Sequence, residues 1–380
     1  MKKVCMITTI SATLKSFVVE TAKYLHEKCG YDVTLVCNND PAFQQSLPEY
    51  IHFIPVPMSR GINFSGFKSI KIFKKLFKEQ QFDMVQYATP NASFYASIAA
   101  KSVKVPFRVY CQWGIRYVGF SGIKRKIFKF LEKIVCKKST HVFAVSPKNM
   151  QFAIDEKLYK PNKAQVIGNG GTIGVDMDEY DISKKQLWRD EIRSKYDIKS
   201  DDLTFGFVGR ISVDKGVKEL LSAFRDSYGK VDNAKLLVVG PTDDDVDEMK
   251  EILDWAKSSK NVVFTGRVNN TEIKKYYSAM DVLVHPTYRE GFGMVIQESG
   301  ALAVPVITTK IPGASEVMVD GESCVLVDPR SQSQLEDAMT SIKGDVDRLS
   351  KNVYERTKTF YERKIMLENQ RQAYEKLLGE

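Results

Sequence analysis

The chain has 380 residues, 43% hydrophobic and 27% charged, with a net charge of +9. At one domain per roughly 100–200 residues this predicts two or three domains, each with its own core, and it excludes a disordered or fibrous chain. Six scattered cysteines (Cys5, Cys29, Cys37, Cys111, Cys136, Cys324) with no C-x-x-C pair argue against a zinc site and a disulfide framework, and no apolar run approaches the roughly 18 residues of a membrane span.

The charge is unevenly placed. Through Val175 there are 26 Lys+Arg against 10 Asp+Glu, a balance of +16, and the remainder carries −7. A basic half implies an anionic partner there: nucleic acid, lipid headgroups or a phosphorylated substrate. The run Val4–Ile10 is short and contains two threonines, so it reads as a first strand and not a signal peptide. A reduced, cytoplasmic setting follows as the expectation.

In chain order, Val4–Thr9 reads as a strand, Thr13–Cys29 as a helix and Tyr31–Cys37 as a strand. This is β-α-β with short connections, the start of a doubly wound parallel sheet. Strands at Ile51–Val56, Phe82–Tyr87, Phe107–Cys111, His141–Val145 and Val166–Ile167 alternate with helices at Phe64–Lys78, Asn91–Ser102 and Ile123–Cys136, and Ser146-Pro147 opens another helix. Polar Asp178–Ser200 reads as a linker. The alternation then restarts with strands at Thr204–Val208, Lys235–Val239 and Val262–Thr265 and helices at Gly216–Ser227, Val246–Lys257 and Thr271–Ser278. After a final strand–loop–helix–strand stretch, the chain ends in helices from Gln332 onward.

That stretch runs from Asp281 to Thr309. A buried strand, Asp281–His285, leads into a loop with two glycines, a helix from Met294 to Ala303, and a second strand, Val304–Thr309. Free backbone N–H groups at a helix start, with the helix dipole, favour an anion. Glu290 and Glu298 flank this point with seven residues between them. Phosphates at the helix start and hydroxyls on the carboxylates would suit a nucleotide diphosphate with something attached. Gly209-Arg-Ile-Ser-Val-Asp-Lys-Gly216 also follows a strand, so Arg210 and Lys215 hang over the same strand-end region, where two cations suit a pyrophosphate. Plain turn chemistry and a solvated face are the bland readings of each part alone; their convergence favours the site.

Other motifs carry less. Gly168–Gly174 lacks the spacing and the following helix of a dinucleotide fingerprint. Asp243-Asp244-Asp245 opens a helix, where acidic residues are favoured, so no obligatory metal is expected. The four histidines, His26, His52, His141 and His285, have no ligand spacing and read as packing residues. Two helices, 64–78 and 123–138, carry aromatic and aliphatic residues with many lysines, the pattern of a helix in a membrane interface; a core-packed helix with a solvated basic face is the alternative. No nucleic-acid reading motif is present.

Glu290-Gly-Phe-Gly293 followed by Glu298 resembles the E-x7-E signature of retaining glycosyltransferases of the GT-B fold grouped in glycosyltransferase family 4. Pro286–Gly293, the spacing of Arg210 and Lys215, and Pro312-Gly-Ala-Ser-Glu316 fit the same family. The resemblance implies an α/β chain of two facing Rossmann-like domains with parallel sheets and a cleft between them. Residues 1–178 would form the acceptor-side domain, with the last helix, about 362–380, packing back on it. Residues 179–361 would form the nucleotide-sugar domain.

It implies Arg210, Lys215 and the N–H groups of Gly291, Phe292 and Gly293 on the leaving phosphate, Glu290 on the donor sugar and Glu298 on the ribose. Met294 follows at the helix start, and Gly266, Arg267 and Val268 would meet the base. Where members commonly read His-Gly, this chain has Trp113-Gly, and Trp113 either stacks on a sugar or packs. Arg116 is a candidate for an acceptor phosphate.

The expected reaction transfers a sugar, with retention, from a nucleotide-diphosphate donor of UDP type to a lipid-diphosphate-linked saccharide in bacterial surface polysaccharide synthesis. No cofactor is implied, and no nucleic acid. The chain would sit peripherally on the inner face of the cell membrane through its basic helices. A UDP-sugar epimerase of the same fold and a non-catalytic membrane-associated partner subunit are the alternatives.

Overall fold

The computed structural model describes residues 1–59, 65–227, 229–244 and 246–379. Two compact units are present: Met1–Ile173 with Lys364–Glu380, and Gly174–Arg363. Each is built on one parallel sheet.

In the first unit the strands are β1 (Lys3–Ile7), β2 (Asp32–Cys37), β3 (Ile51–Pro55), β4 (Met84–Tyr87), β5 (Phe107–Gln112), β6 (His141–Ala144) and β7 (Ala164–Val166), in spatial order β3-β2-β1-β4-β5-β6-β7. In the second they are β8 (Leu203–Val208), β9 (Ala234–Val239), β10 (Val262–Gly266), β11 (Val282–His285), β12 (Val306–Thr309) and β13 (Cys324–Val327), in order β10-β9-β8-β11-β12-β13. Sheets covered by helices on both faces bury both sides of each strand. Central strands therefore read as apolar runs without alternation, as in Val4–Ile7 of β1, where Val4 pairs with Val33 on one side and Met84 on the other. Each sheet reverses its order once, between β1 and β4 and between β8 and β11. Such switch points open crevices at the carboxyl ends of the strands.

Several expectations are corrected. The first helix is two, Ser11–Phe17 and Val19–Cys29, because Val18 leaves helical geometry (φ −128°, ψ −38°) while staying buried. The segment read as a linker contains helix Lys185–Lys195, which belongs to the second unit. Its high charge hid an apolar pair at i, i+4, Trp188 and Ile192, both buried, and much of the charge points inward. Arg189 and Arg193 converge on Asp281 at 2.6 and 2.8 Å, and Arg193 also donates to the carbonyls of Ala279 and Lys199. Strand β13 was not anticipated. The basic helix expected from Phe64 is described from Ser65 to Gln80, and Phe64 and Asp245 lie outside the described residues.

The last helix, Arg363–Leu378, packs in the first unit. Thr21 donates to Gln370 at 2.6 Å, Tyr24 to Glu368 at 3.0 Å and Tyr374 to Gln86 of β4.

Candidate active site

In the second unit the two strands that flank the switch point, β8 and β11, carry the two motifs. The loop Gly209–Gly216 follows β8, and Pro286–Gly293 follows β11. The loops are tied together: Tyr288 N–H donates to the Asp214 carbonyl at 2.9 Å, Thr287 Oγ1 donates to the same oxygen at 3.3 Å, and Arg289 pairs with Asp214 at 3.5 Å. Glycine is required where they meet. A Cβ on Gly216 (φ +68°) would lie 2.0 Å from the Pro286 carbonyl oxygen. From β12, buried Thr308 and Thr309 donate to the carbonyls of His285 and Thr287 at 2.9 and 2.6 Å, pinning the start of the second loop.

Gly313 supports this loop from the Pro312–Glu316 motif. Its φ is +87°, and a Cβ there would sit 2.3 Å from the Gly291 oxygen. Gly313→Ala is expected to cost about 2 kcal/mol or more in backbone strain and to push the loop out of place. A lowered Tm checks this.

The structure brings Lys215 and Glu290 together: Lys215 Nζ lies 2.8 Å from Glu290 Oε2, with both side chains 19% exposed. A third member was missed in the sequence. His285, the last residue of β11, is buried and places Nε2 3.1 Å from the same oxygen. Its Nδ1 has no hydrogen-bond partner among the described residues. The carboxylate can only accept, so Nε2 carries the proton, and the unpartnered Nδ1 favours the neutral imidazole. Burial lowers the His285 pKa, in the same direction, against the hydrogen bond and charge of Glu290. Burial by itself would push the Glu290 carboxyl up; the His285 hydrogen bond and the Lys215 charge overcome it and hold it well below the usual range. Glu290 is therefore a fixed carboxylate. The signal that could have found His285 is positional: the final side chain of a strand at the switch point, five residues before Glu290.

Gly291 N–H donates to Glu290 Oε1 at 3.0 Å, so it is already engaged by the neighbouring carboxylate. Phe292 is buried with its ring edge-on to Tyr361, and Gly293 (φ +62°) starts helix Met294–Ala301. Arg210, half exposed, pairs with Asp243 and, at 3.6 Å, with Asp214. One carboxylate of the acidic run is thus spent on the arginine. Gly266 (φ +67°) ends β10 and accepts from Gly240 N–H at 3.0 Å, while Arg267 is exposed.

Glu298 is held by two tyrosines. Tyr277 donates at 2.7 Å and Tyr180 forms a second hydrogen bond. Burial pushes the Glu298 carboxyl up to about 7, against those hydrogen bonds. A carboxyl raised in the folded state holds its proton more tightly than in the unfolded chain. Its contribution to stability is therefore full at low pH and falls as pH rises toward and through 7. Glu298→Gln, which stays neutral, is expected to gain about 2 kcal/mol on the parent between pH 5 and pH 8, as read by urea unfolding at the two pH values.

In the first unit, Trp113 packs on Phe17, with ring centroids 5.4 Å apart, and borders a small cavity with Gln86, Gln370 and Tyr374. Arg116 is exposed and lies over the Phe128 ring at 4.6 Å. The two basic helices differ. Helix Ser65–Gln80 buries Phe73, Leu76 and Phe77 in the core and leaves Phe67 exposed. Helix Gly122–Lys138 buries only Val135 and Cys136 fully and leaves Ile123, Ile127 and Phe130 at 77%, 51% and 64% exposure. No helix among the described residues is long and apolar enough to cross a membrane.

Known proteins bear on this site. Residues 189–359 match the family model described as glycosyl transferases group 1, and residues 3–146 match glycosyl transferase 4-like. Over 309 residues the chain is 33% identical to the capsular polysaccharide biosynthesis glycosyltransferase CapM of Staphylococcus aureus, covering 80% of this chain and 78% of the relative. It is 25% identical over 293 residues to the Escherichia coli UDP-Gal:alpha-D-GlcNAc-diphosphoundecaprenol alpha-1,3-galactosyltransferase, covering 74% and 72%. Among solved structures, Anabaena Alr3699/HepE in complex with UDP-glucose superposes with a TM-score of 0.78 at 17% identity, covering 99% of this chain and 100% of that one. That likeness shows the fold, two Rossmann-like units of the GT-B type. With both halves matched by the family's models and a relative matched over most of its length, the chain belongs to the group 1, family 4-like glycosyltransferases.

Proposed function

We propose that this glycosyltransferase moves a sugar from a UDP-linked donor to a hydroxyl of a lipid-diphosphate-linked saccharide, with retention, in building a bacterial surface polysaccharide. The observation that carries the reading is the Lys215–Glu290–His285 cluster at the β8/β11 switch point. A fixed carboxylate there can orient sugar hydroxyls and support positive charge at the anomeric carbon. Lys215 and Arg210 can stabilise the charge that develops on the leaving diphosphate, which is usually the largest catalytic effect. Glu298 can take the ribose hydroxyls by exchanging a tyrosine hydrogen bond for them, and Gly266–Val268 can meet the base through backbone atoms. No cofactor or metal enters this scheme. The donor and acceptor classes are supported by the names of the capsular and galactosyl relatives.

The exposed apolar residues of helix Gly122–Lys138, interleaved with lysines, support peripheral attachment to an anionic membrane surface on its cytoplasmic face. Of the two basic helices this one is better suited, since the other spends most of its apolar face on the core.

The test is thermal stabilisation by UDP-, GDP-, ADP- and dTDP-sugars without added metal. Ligand at 100 times its Kd adds about 2.7 kcal/mol. A shift with UDP-sugars that Arg210→Ala abolishes supports the donor site. No shift with any nucleotide sinks the reading. Conversion of donor without acceptor would instead indicate epimerase chemistry.

A further inference from the structure

The first unit holds a cavity of about 250 Å³ between helix Pro90–Ser102 and helix Gly122–Lys138. Phe94, Tyr95, Ile127, Phe128, Leu131 and Val135 supply apolar wall. Ile127 also belongs to the exposed apolar surface of its helix, so that surface runs directly into the cavity.

The same two helices also bring polar groups to the lining. Ser93 is 1% exposed, and its hydroxyl has no hydrogen-bond partner among the described residues. A buried hydroxyl left unmatched is costly unless a ligand supplies the partner. Pro90 and Asn91, at the start of the helix that follows β4, also line the cavity. Thr89, at the cap position, makes no side-chain bond to this helix and places its Oγ1 2.8 Å from Thr9 Oγ1. The first turn of this helix, which carries the positive end of its dipole, therefore lies at the cavity. Arg116 adds a formal charge. Glu132 completes the wall beside β5: its Oε1 accepts from Tyr110 and Gln112 at 2.8 Å each, and burial raises its pKa toward the neutral form.

An apolar trough that ends at a helix N-terminus, a cation and an unmatched hydroxyl suits an amphiphile with an anionic head. We propose that this cavity takes the hydrocarbon chain nearest the diphosphate of the lipid-linked acceptor, a chain of prenyl type, with the first phosphate at the start of helix Pro90–Ser102. The assignment rests on the lipid-linked acceptor reading above and specifies where that acceptor is gripped. It gives the basic, partly apolar helix Gly122–Lys138 a second task beyond surface attachment, as one wall of the chain's entry from the membrane.

The test is calorimetric binding of farnesyl diphosphate to the full chain, with inorganic pyrophosphate as the chainless control. A diazirine-bearing farnesyl diphosphate is then crosslinked and mapped. Farnesyl diphosphate should bind at least tenfold more tightly than pyrophosphate. Ser93→Leu and Leu131→Trp, which fill the cavity from opposite walls, should each remove that advantage. Stabilisation by UDP, bound in the other unit, shows that a variant is folded. Crosslinks should fall in 90–102 and 122–138.

Undiminished farnesyl diphosphate binding by both folded variants, or crosslinks elsewhere, overturns the assignment. So does displacement of the probe by phosphatidylglycerol but not by a longer prenyl diphosphate, which would give the cavity to a bilayer lipid. Absence of a chain-dependent gain while UDP still stabilises the protein overturns the cavity alone and leaves the donor site standing. Equal transfer to a chain-free saccharide diphosphate in the wild type would overturn the lipid-acceptor reading itself.

Discussion

Lys215→Ala lowers kcat/KM for sugar transfer by about 10²–10³, roughly 3–4 kcal/mol of transition-state stabilisation. Lys215 lies 2.8 Å from Glu290, and both side chains are mostly shielded from water. A charge interaction in such a place is worth more than at the surface, where an ion pair contributes about 0–1 kcal/mol. In the proposed reaction Lys215 has two tasks: it keeps Glu290 ionised and it meets the negative charge left on the departing diphosphate. Loss of the first raises the Glu290 pKa, so the variant's pH–rate profile should lose activity on its acid side sooner than the parent's. The fold should survive. His285 and Gly291 N–H still bond the Glu290 carboxylate, which limits the stability loss to about 1–2 kcal/mol. Steady-state kinetics across pH, with circular dichroism on the same samples, separates the two effects. Unchanged kcat/KM in a folded variant would remove Lys215 from the catalytic machinery.

Asp281→Ala destabilises the second unit by about 3–5 kcal/mol, enough to take a large share of a domain's net stability. Asp281 precedes β11 and closes a compact charge cluster. It receives Arg189 at 2.6 Å, Arg193 at 2.8 Å and the Thr204 backbone N–H at 2.7 Å. Arg193 is 4% exposed, so removal of the carboxylate strands a buried guanidinium. The carboxylate also ties helix Lys185–Lys195 to the entry of β8 and of β11, the two strands whose ends form the site. Asp281→Asn, which keeps a carbonyl acceptor, should lose less than the alanine variant. Urea titration checks both; a loss under 1 kcal/mol for Asp281→Ala would show that the cluster adds little.

These two sites differ in how far they could be read without coordinates. Lys215 and Glu290 stand out because each lies in a short motif whose residue types and spacing match one task, phosphate and sugar binding at a strand end. Asp281 and Arg193 carry no such pattern. They lie 88 residues apart, and the segment containing Arg193 looks like a polar connection until Trp188 and Ile192 are seen to be buried. His285 shows the same limit from the other side. Its apolar strand context points to packing, and only the path of the loop after Pro286 brings Glu290 back onto its ring nitrogen.

The sequence by itself determined the two α/β alternations, because buried parallel strands are apolar runs and glycines mark the turns between them. It determined the family, because the motifs of the second half are local in the chain. It also determined that the first half is strongly basic, since that follows from counting charges. Tertiary structure decided which of the two lysine-rich helices keeps its apolar side chains outside the core. It decided that Glu298 rests on two tyrosines and that Trp113 packs on Phe17. It also decided that a cavity lies where helices 90–102 and 122–138 meet. Each of these is settled by which neighbour occupies the space beside a side chain. Amphipathic periodicity records that a helix has an apolar face, but not whether the fold supplies a partner to cover it.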